Sequence, residues 1–158
     1  MPYIAILISA FAIGFVCGLR ALTAPAVVAW AAHLNWIDLT NTPLRFMTST
    51  VTVAVFTLLA IGELIADQLP SAPNRTELSG LIPRILLGGL CGACIFASQS
   101  QSIVIGSLLG AAGAVAGAFG GFQARTMLVK KMKIRDFIIA ILEDAIAIGA
   151  GIFVVSRF

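Results

Sequence analysis

Long apolar runs separated by short polar segments dominate the chain. The runs cover residues 3–19, 46–66 and 85–124, and a last one begins at Phe137 and continues for 20 residues. The third run holds 40 residues without a formal charge, and the polar residues 98–102 divide it in two. Because about 20 apolar residues cross the roughly 30 Å hydrocarbon core of a bilayer, this pattern predicts an all-α integral membrane protein with about five transmembrane helices.

A shorter apolar stretch, residues 22–34, lies between the first and second runs. Its thirteen residues are too few to cross a bilayer, and Pro25 interrupts them. The stretch is therefore either a re-entrant helix buried among other helices or an interfacial helix with Trp30 and Trp36 among the headgroups. The sequence Thr23-Ala24-Pro25 offers a helix start opposite the end of the first span, which favours the re-entrant interpretation.

Composition supports a membrane location. Hydrophobic residues make up 59% of the chain and charged residues 11%, and the mean hydropathy is +1.04. An average soluble domain has roughly 25% charged residues. Five spans leave only short connections, so we expect residues 1–158 to form a single transmembrane domain whose first helix is retained rather than cleaved as a signal.

Basic residues orient the predicted bundle. Five of the ten lie in the loop 125–135, which the positive-inside rule places in the cytoplasm, against anionic lipid rather than nucleic acid. With five spans, the N-terminus is then also cytoplasmic and the C-terminus lies outside. The same alternation puts Arg20 on the outer side of the membrane, away from Glu63.

A faint internal repeat relates two helix ends. The pattern of residues 14–23 recurs at 117–126, with two glycines and a threonine matched at a constant offset of 103. In the five-span topology these two spans run in opposite directions, so a true repeat would be an inverted one.

Glycines spaced by three or four residues form a stripe along one face of the predicted fourth span. Glycine lets another backbone approach closely, which is how helices associate in lipid, where no hydrophobic drive is available. We therefore expect tight helix packing along Gly106, Gly110, Gly113, Gly117 and Gly121.

The three cysteines carry no expected chemistry. Cys91 and Cys94 have the spacing of a CxxC motif, but no histidine or further cysteine is near them in sequence, and Cys17 lies in the first span. Small packing residues explain them better than a disulfide or metal site. We expect no cofactor.

Acidic residues enter the membrane at two places. Glu143 and Asp144 lie about a third of the way into the last span, where an acid is costly and marks a candidate functional site. Glu63 and Asp67 are four residues apart and share one helix face at the end of the second long run. The predicted topology brings these four acids to one depth, together with Arg84 and Arg125.

Such a layer suits a hydrated cation, a proton relay or a set of buried ion pairs that fixes the helix arrangement. In the structural alternative, Asp67 and Arg125 are interfacial and Glu63 pairs with Arg84. Arg20 has its own two interpretations. Together with Thr23 and an open helix N-terminus it can hold an anion, or it can extend to the outer headgroups. His33, without companion ligands, is structural or interfacial.

Several short motifs in fixed order resemble the bacterial membrane family known as domain of unknown function 4126. They are Gly18-Leu-Arg-Ala-Leu-Thr-Ala-Pro25, Gly62-Glu-Leu-Ile-Ala-Asp-Gln-Leu-Pro70, Pro73-Asn-Arg-Thr76, Arg84 before a glycine-rich span, and Leu142-Glu-Asp144. Gln68 stands where that family typically has lysine. The resemblance implies a multi-spanning bacterial inner-membrane protein, and it implies no reaction or substrate.

These features favour a small transporter or channel for an ion or small solute, working as a homo-oligomer because five short spans enclose little pathway alone. The alternative is a non-transporting scaffold or lipid-binding protein whose buried charges are structural ion pairs. No catalytic constellation is recognised, so we do not expect an enzyme.

Overall fold

The protein is a bundle of α-helices. A computed structural model describes residues 2–66, 76–132 and 136–158. Within these ranges the chain forms six helices, a 3₁₀ turn at Arg45–Thr48 and no strand; the helices are α1 (Tyr3–Leu19), α2 (Thr23–His33), α3 (Thr50–Ala66), α4 (Leu78–Ser98), α5 (Ile103–Met132) and α6 (Asp136–Val155). The predicted all-α class is confirmed.

Length and surface character suggest a membrane protein. The helix Leu78–Ser98 and the stretch Ile103–Val129 are long and apolar enough to cross a bilayer, and Tyr3–Leu19 and Thr50–Ala66 are shorter apolar helices. Large apolar side chains point outward from several helices, as Leu58, Leu86 and Leu108 do. The interior is built mainly of small residues, which is how helices pack when lipid surrounds them.

The centre of the bundle is the contact of α5 with α1 on one side and α4 on the other. A Cβ atom at Gly113 would overlap the carbonyl oxygen of Phe11, and one at Gly117 would overlap that of Phe15. Gly110 lies against Gly88 of α4 in the same way, and Gly106 against Gly92, while Gly121 is buried. The glycine stripe thus lies where three backbones meet too closely for any side chain.

Helices α1 and α5 run in the same direction. Phe11 lies beside Gly113 and Phe15 beside Gly117, so both helices advance together along the contact. The expectation that these two spans are antiparallel is therefore wrong. A relation between residues 14–23 and 117–126 is parallel in this structure, not inverted.

The segment between α1 and α3 is the reason why α1 and α5 run in the same direction. Helix α2 is 11 residues long and buries eight of them among its neighbours. The irregular chain that follows also runs through the interior, where Ile37, Leu39 and Met47 are almost fully buried. Together they return the chain to the end where α1 began, a crossing that the count of thirteen apolar residues does not reveal.

Because the chain returns through this segment, the N-terminus and the end of α5 lie at opposite ends of the bundle, not at the same end as predicted. Tyr3 packs edge-on against Phe96 near the end of α4, whereas Arg125 lies two turns beyond the α1–α5 contact at Gly117. Tyr3 and Arg125 are thus at opposite ends of the bundle. Residues 125–132 of the predicted basic loop 125–135 are the last part of helix α5, and the expectation that they share one side with the N-terminus does not fit this geometry.

Candidate functional site

Among the described residues, three acid–arginine pairs form a charged layer near one end of the bundle. They join the α1–α2 junction, α3, α4, α5 and α6, and they are Arg20 with Asp144, Arg84 with Glu63, and Arg125 with Glu143. Helices α4, α5 and α6 each continue for more than a turn beyond their charged residue, so the layer is recessed within the bundle. We call these six residues the charged layer.

The layer surrounds a break in the helical chain. Helix α1 ends at Leu19, Arg20 is extended with φ −136° and ψ 113°, and α2 begins at Thr23. A helix end exposes carbonyl groups and a helix start exposes N–H groups, and in lipid each unsatisfied group costs several kcal/mol. Partners for both sets of groups are therefore needed at this depth.

Glu63 supplies the acceptor for the start of α2. One of its carboxylate oxygens accepts a hydrogen bond from the N–H of Ala21 at 2.8 Å, and the other accepts one from the N–H of Leu22 at 2.8 Å. A carboxylate is favoured at this position because the N-terminus of a helix carries a partial positive charge.

Arg84 supplies the donor for the end of α1. Its Nε donates to the carbonyl oxygen of Gly18 at 3.2 Å, and its Nη1 donates to that of Gly80 at 2.6 Å. A cation is favoured at a helix C-terminus. Nη2 of Arg84 lies 3.8 Å from Glu63, so the two charges that cap the break also compensate each other. This is the pairing that the structural alternative predicts.

Arg20 lies in the same layer. Its side chain is fully buried and forms an ion pair with Asp144, whose side chain is 16% exposed. The expectation that Arg20 sits on the opposite side of the membrane from Glu63 is therefore wrong, because the N–H groups next to Arg20 are those that Glu63 binds. The chain return through α2 is the physical reason.

The third pair is looser. Arg125 and Glu143 are 3.9 Å apart, and the arginine side chain is 22% exposed. Asp67, the fourth acid of the predicted layer, lies outside the described residues. In the described part of the chain no group of three or more histidine, cysteine or acidic side chains is placed to hold a metal ion. The acids face arginines rather than one another, which suits ion pairs better than a hydrated cation.

Sequence reasoning missed the backbone partners of the layer. The N–H groups of Ala21 and Leu22 and the carbonyl of Gly18 carry no sequence signature of their own. The signal that was available is Pro25, which is best tolerated in the first turn of a helix and therefore marks where α2 starts. Cys17 also contributes here, since its thiol lies 3.2 Å from the carbonyl oxygen of Ala21.

A polar cavity lies at the other end of the bundle. It has a volume of about 400 Å³ and is lined by Asp38, Asn41, Thr42, Pro43, Ala97, Ser98, Ser100, Gln101 and Ile103. The N–H and hydroxyl of Thr40 donate hydrogen bonds to the Asp38 carboxylate. Asp38 and the hinge 98–102 are far apart in sequence, so their meeting was not predicted.

Comparison with known proteins identifies the family of the chain. No curated protein and no solved structure matches the chain. A family model described as a domain of unknown function, DUF4126, matches residues 7–156, a range that includes the whole charged layer, all of α2 to α6 and most of α1. The motifs around Arg20, Glu63 and Asp144 therefore lie inside the matched region, and the chain belongs to the family of the domain of unknown function DUF4126.

Proposed function

We propose that the protein is a small multi-pass transporter that moves an ion or small solute past the charged layer. The observation that carries this proposal is the break between α1 and α2, whose two ends are capped by Glu63 and Arg84. Broken helices whose ends face a charged group near the middle of the membrane are typical of transporter binding sites. A helix that serves only to anchor a protein has no need of such a break.

The distribution of polar groups supports a pathway. The cavity at Asp38 opens at one end, and the recessed charged layer lies toward the other. Acids and arginines inside a membrane are costly and mark ion or substrate pathways. An ion or a proton that takes the place of one partner in an acid–arginine pair keeps the local charge balanced, so it can pass without leaving a bare charge in lipid.

The proposed arrangement in the membrane has α1, α3, α4, α5 and α6 crossing, with α2 and residues 34–49 lying within the membrane. Arg125 and the four basic residues that follow it in the sequence, up to Arg135, assign the charged end to the cytoplasm by the positive-inside rule. Tyr3 then lies on the outer side. We place the protein in a bacterial cytoplasmic membrane as a homo-oligomer in contact with lipid, since one copy encloses little pathway.

The rival function, a scaffold or lipid-binding protein, is favoured by one specific observation. Each of the three described pairs is a direct contact between an acid and an arginine, and Glu63 also satisfies backbone N–H groups. Such a layer can hold helices in place without moving anything. A transporter moves a solute across the membrane and a scaffold does not, so a measurement of solute flux decides between the two functions.

The test is flux into proteoliposomes. We expect protein-dependent movement of at least one member of a panel of protons, inorganic ions and small organic ions. Asp144→Asn should lower that flux by roughly tenfold or more, because it removes the charge opposite Arg20 from the pathway.

The matched control is Glu77→Gln, which changes an exposed acid at the start of α4, outside the charged layer. It should keep the wild-type flux. Absence of flux for every member of the panel would overturn the transport proposal, and equal flux in the Asp144→Asn variant would overturn the role of the layer.

A further inference from the structure

The polar cavity at the end of the bundle opposite the charged layer has one charged group among its described lining residues, the carboxylate of Asp38. The other polar side chains of its wall are neutral amides and hydroxyls, those of Asn41, Thr42, Ser98, Ser100 and Gln101. The end of α4 and the start of α5 also reach the cavity, at Ser98 and Ile103, and their partial charges are opposite in sign. The two helix ends therefore offset each other, and the carboxylate makes the cavity attractive to a cation.

The Asp38 carboxylate is held through one of its two oxygens. The N–H of Thr40 donates to Oδ1 at 2.9 Å, and the hydroxyl of Thr40 donates to the same oxygen at 2.6 Å. Among the described residues this carboxylate has no further hydrogen bond and no ion pair, so Oδ2 can accept from a ligand. Because Thr40 already orients the group, little further ordering is needed when a ligand binds.

Neutral acceptors lie in the same wall. The side chain of Asn41 has no hydrogen bond to any described residue, and the amide nitrogen of Gln101 donates to the carbonyl oxygen of Gln99 at 3.4 Å, which leaves its amide oxygen as an acceptor. A primary ammonium group has three N–H donors and no acceptor. One carboxylate oxygen together with amide oxygens is the set of partners that such a group needs.

The size of the cavity extends the argument from an ion to a small molecule. Its volume is about 400 Å³, within the range of about 300–1,000 Å³ that is usual for small-molecule sites. A water molecule takes about 30 Å³ in the liquid. The cavity thus has room for a short polar chain attached to the ammonium group.

We propose that this cavity binds a primary ammonium group on a short polar chain, such as that of ethanolamine, with Asp38 as the counter-ion. Such a group occurs both in free amines and in the headgroup of phosphatidylethanolamine. Tyr3 and Trp36 lie at this end of the bundle and are nearly half exposed, and tyrosine and tryptophan are enriched at the depth of lipid headgroups. Both sources can therefore reach the site. That a free amine bound here is also the transported solute rests on the proposed function.

The test is calorimetric titration of the full-length protein with ethanolamine hydrochloride in a non-ionic detergent. We expect saturable binding with a dissociation constant of about 1 mM, since a ligand this small rarely binds more tightly. Asp38→Asn should weaken binding by roughly tenfold or more, because it removes the charge but keeps an oxygen for Thr40. The matched control, Glu77→Gln, also removes one exposed acid but lies at the start of α4, away from the cavity, and should bind as the wild type does.

A second variant separates the cavity from a merely exposed charge. Asn41→Phe fills the cavity and leaves Asp38 in place, and it breaks no described side-chain hydrogen bond. It should lose ethanolamine binding while its unfolding midpoint stays close to that of the wild type. Two further probes define the ligand. Tetramethylammonium has the charge without N–H donors, ethylene glycol has the chain without the charge, and both should bind at least about tenfold more weakly than ethanolamine.

Nanodiscs distinguish the two sources of the ammonium group. If the lipid headgroup occupies the cavity, phosphatidylethanolamine in the disc should compete with ethanolamine and weaken its binding relative to discs of phosphatidylcholine alone. Equal binding in the two kinds of disc assigns the site to free amines. Either result supports an ammonium site.

The proposal would be overturned if ethanolamine showed no saturable binding in detergent or in phosphatidylcholine discs, or if Asp38→Asn or Asn41→Phe kept the wild-type affinity. Tetramethylammonium binding as tightly as ethanolamine would also overturn it. These measurements report binding alone, so an absence of flux leaves them unaffected, and their failure leaves the flux test intact.

Discussion

Glu63 is more than one half of a salt bridge, because backbone N–H groups donate to both of its oxygens. The position therefore demands an acceptor as well as a negative charge. An ordinary ion pair can be reversed in sign and still attract, whereas this position cannot become cationic without setting donors against donors. Arg84 is constrained in the opposite way, because it donates to the carbonyl oxygens of Gly18 and Gly80.

We accordingly expect charge reversal to fail at this pair. Glu63→Arg and Arg84→Glu should each destabilise the protein by roughly 3–5 kcal/mol, the usual cost of breaking a buried pair, and the double variant should recover little of that loss. Thermal unfolding of the purified protein in detergent measures the effect. The matched reversal of Arg125 and Glu143, a pair whose arginine side chain is 22% exposed, should cost less than the reversal of Glu63 and Arg84. Full recovery in the Glu63–Arg84 double variant would contradict the backbone role of Glu63.

The position of helix α5 depends on its glycines, which have no side chain. It is held between α1 and α4 at distances that exclude a Cβ atom, as at Gly113 against α1 and Gly110 against α4. Close backbone contact compensates for the absence of a hydrophobic drive between helices in lipid. A Cβ atom added on this face of α5 would push α5 away from the helix that it contacts there.

Gly113→Ala should therefore destabilise the protein by about 1–3 kcal/mol through overpacking against Phe11. The control is Gly149→Ala in α6, where no heavy atom beyond the neighbouring backbone of α6 itself lies within 4 Å of the added methyl group. Alanine there should be neutral or stabilising by up to about 1 kcal/mol, because it favours the helix. Unfolding midpoints of the two variants, measured side by side, check both expectations. A Gly113→Ala protein as stable as Gly149→Ala would mean that α1 and α5 separate without cost.

The sequence predicted the helices well and their directions less well. Apolar runs of 17 or more residues gave the five long helices, and Pro25 marked the start of α2. The return of the chain through residues 34–49 was not predicted, since Ile37, Leu39 and Met47 are buried by tertiary contacts in a segment that reads as polar and irregular. Because the predicted topology lacked this return, it placed Arg20 on the wrong side of the membrane and made α1 and α5 antiparallel.

Within the described residues, each of the five longer helices passes through the bundle once, and α2 together with residues 34–49 makes one more passage. The number of passages is therefore even, and not the five of the predicted topology. Helix α6 leaves the charged layer at Asp144 and runs beside α2, with Gly151 on Val27, so it ends at the same end as Tyr3. The residues at both described ends of the chain should therefore lie on one side of the membrane, and the start of α4 on the other.

Cysteine labelling tests this arrangement without removing native residues, because Cys17, Cys91 and Cys94 are all buried. In sealed cells a membrane-impermeant maleimide should label Tyr3→Cys and Arg157→Cys, and it should label Glu77→Cys only after permeabilisation. The unmodified protein is the control for background labelling. Labelling of positions 3 and 157 from opposite sides would restore the five-span topology.

The hydrogen bond from the indole of Trp30 to the hydroxyl of Thr57, at 3.0 Å, crosses from α2 to α3. Only one other tryptophan, Trp36, is present in the chain, so replacing it with phenylalanine leaves a single tryptophan, at the contact between these two helices. The emission of that indole depends on whether its N–H is bonded and on how much water or lipid reaches the ring. The protein thus carries a built-in optical reporter of helix separation, readable in real time without any attached dye.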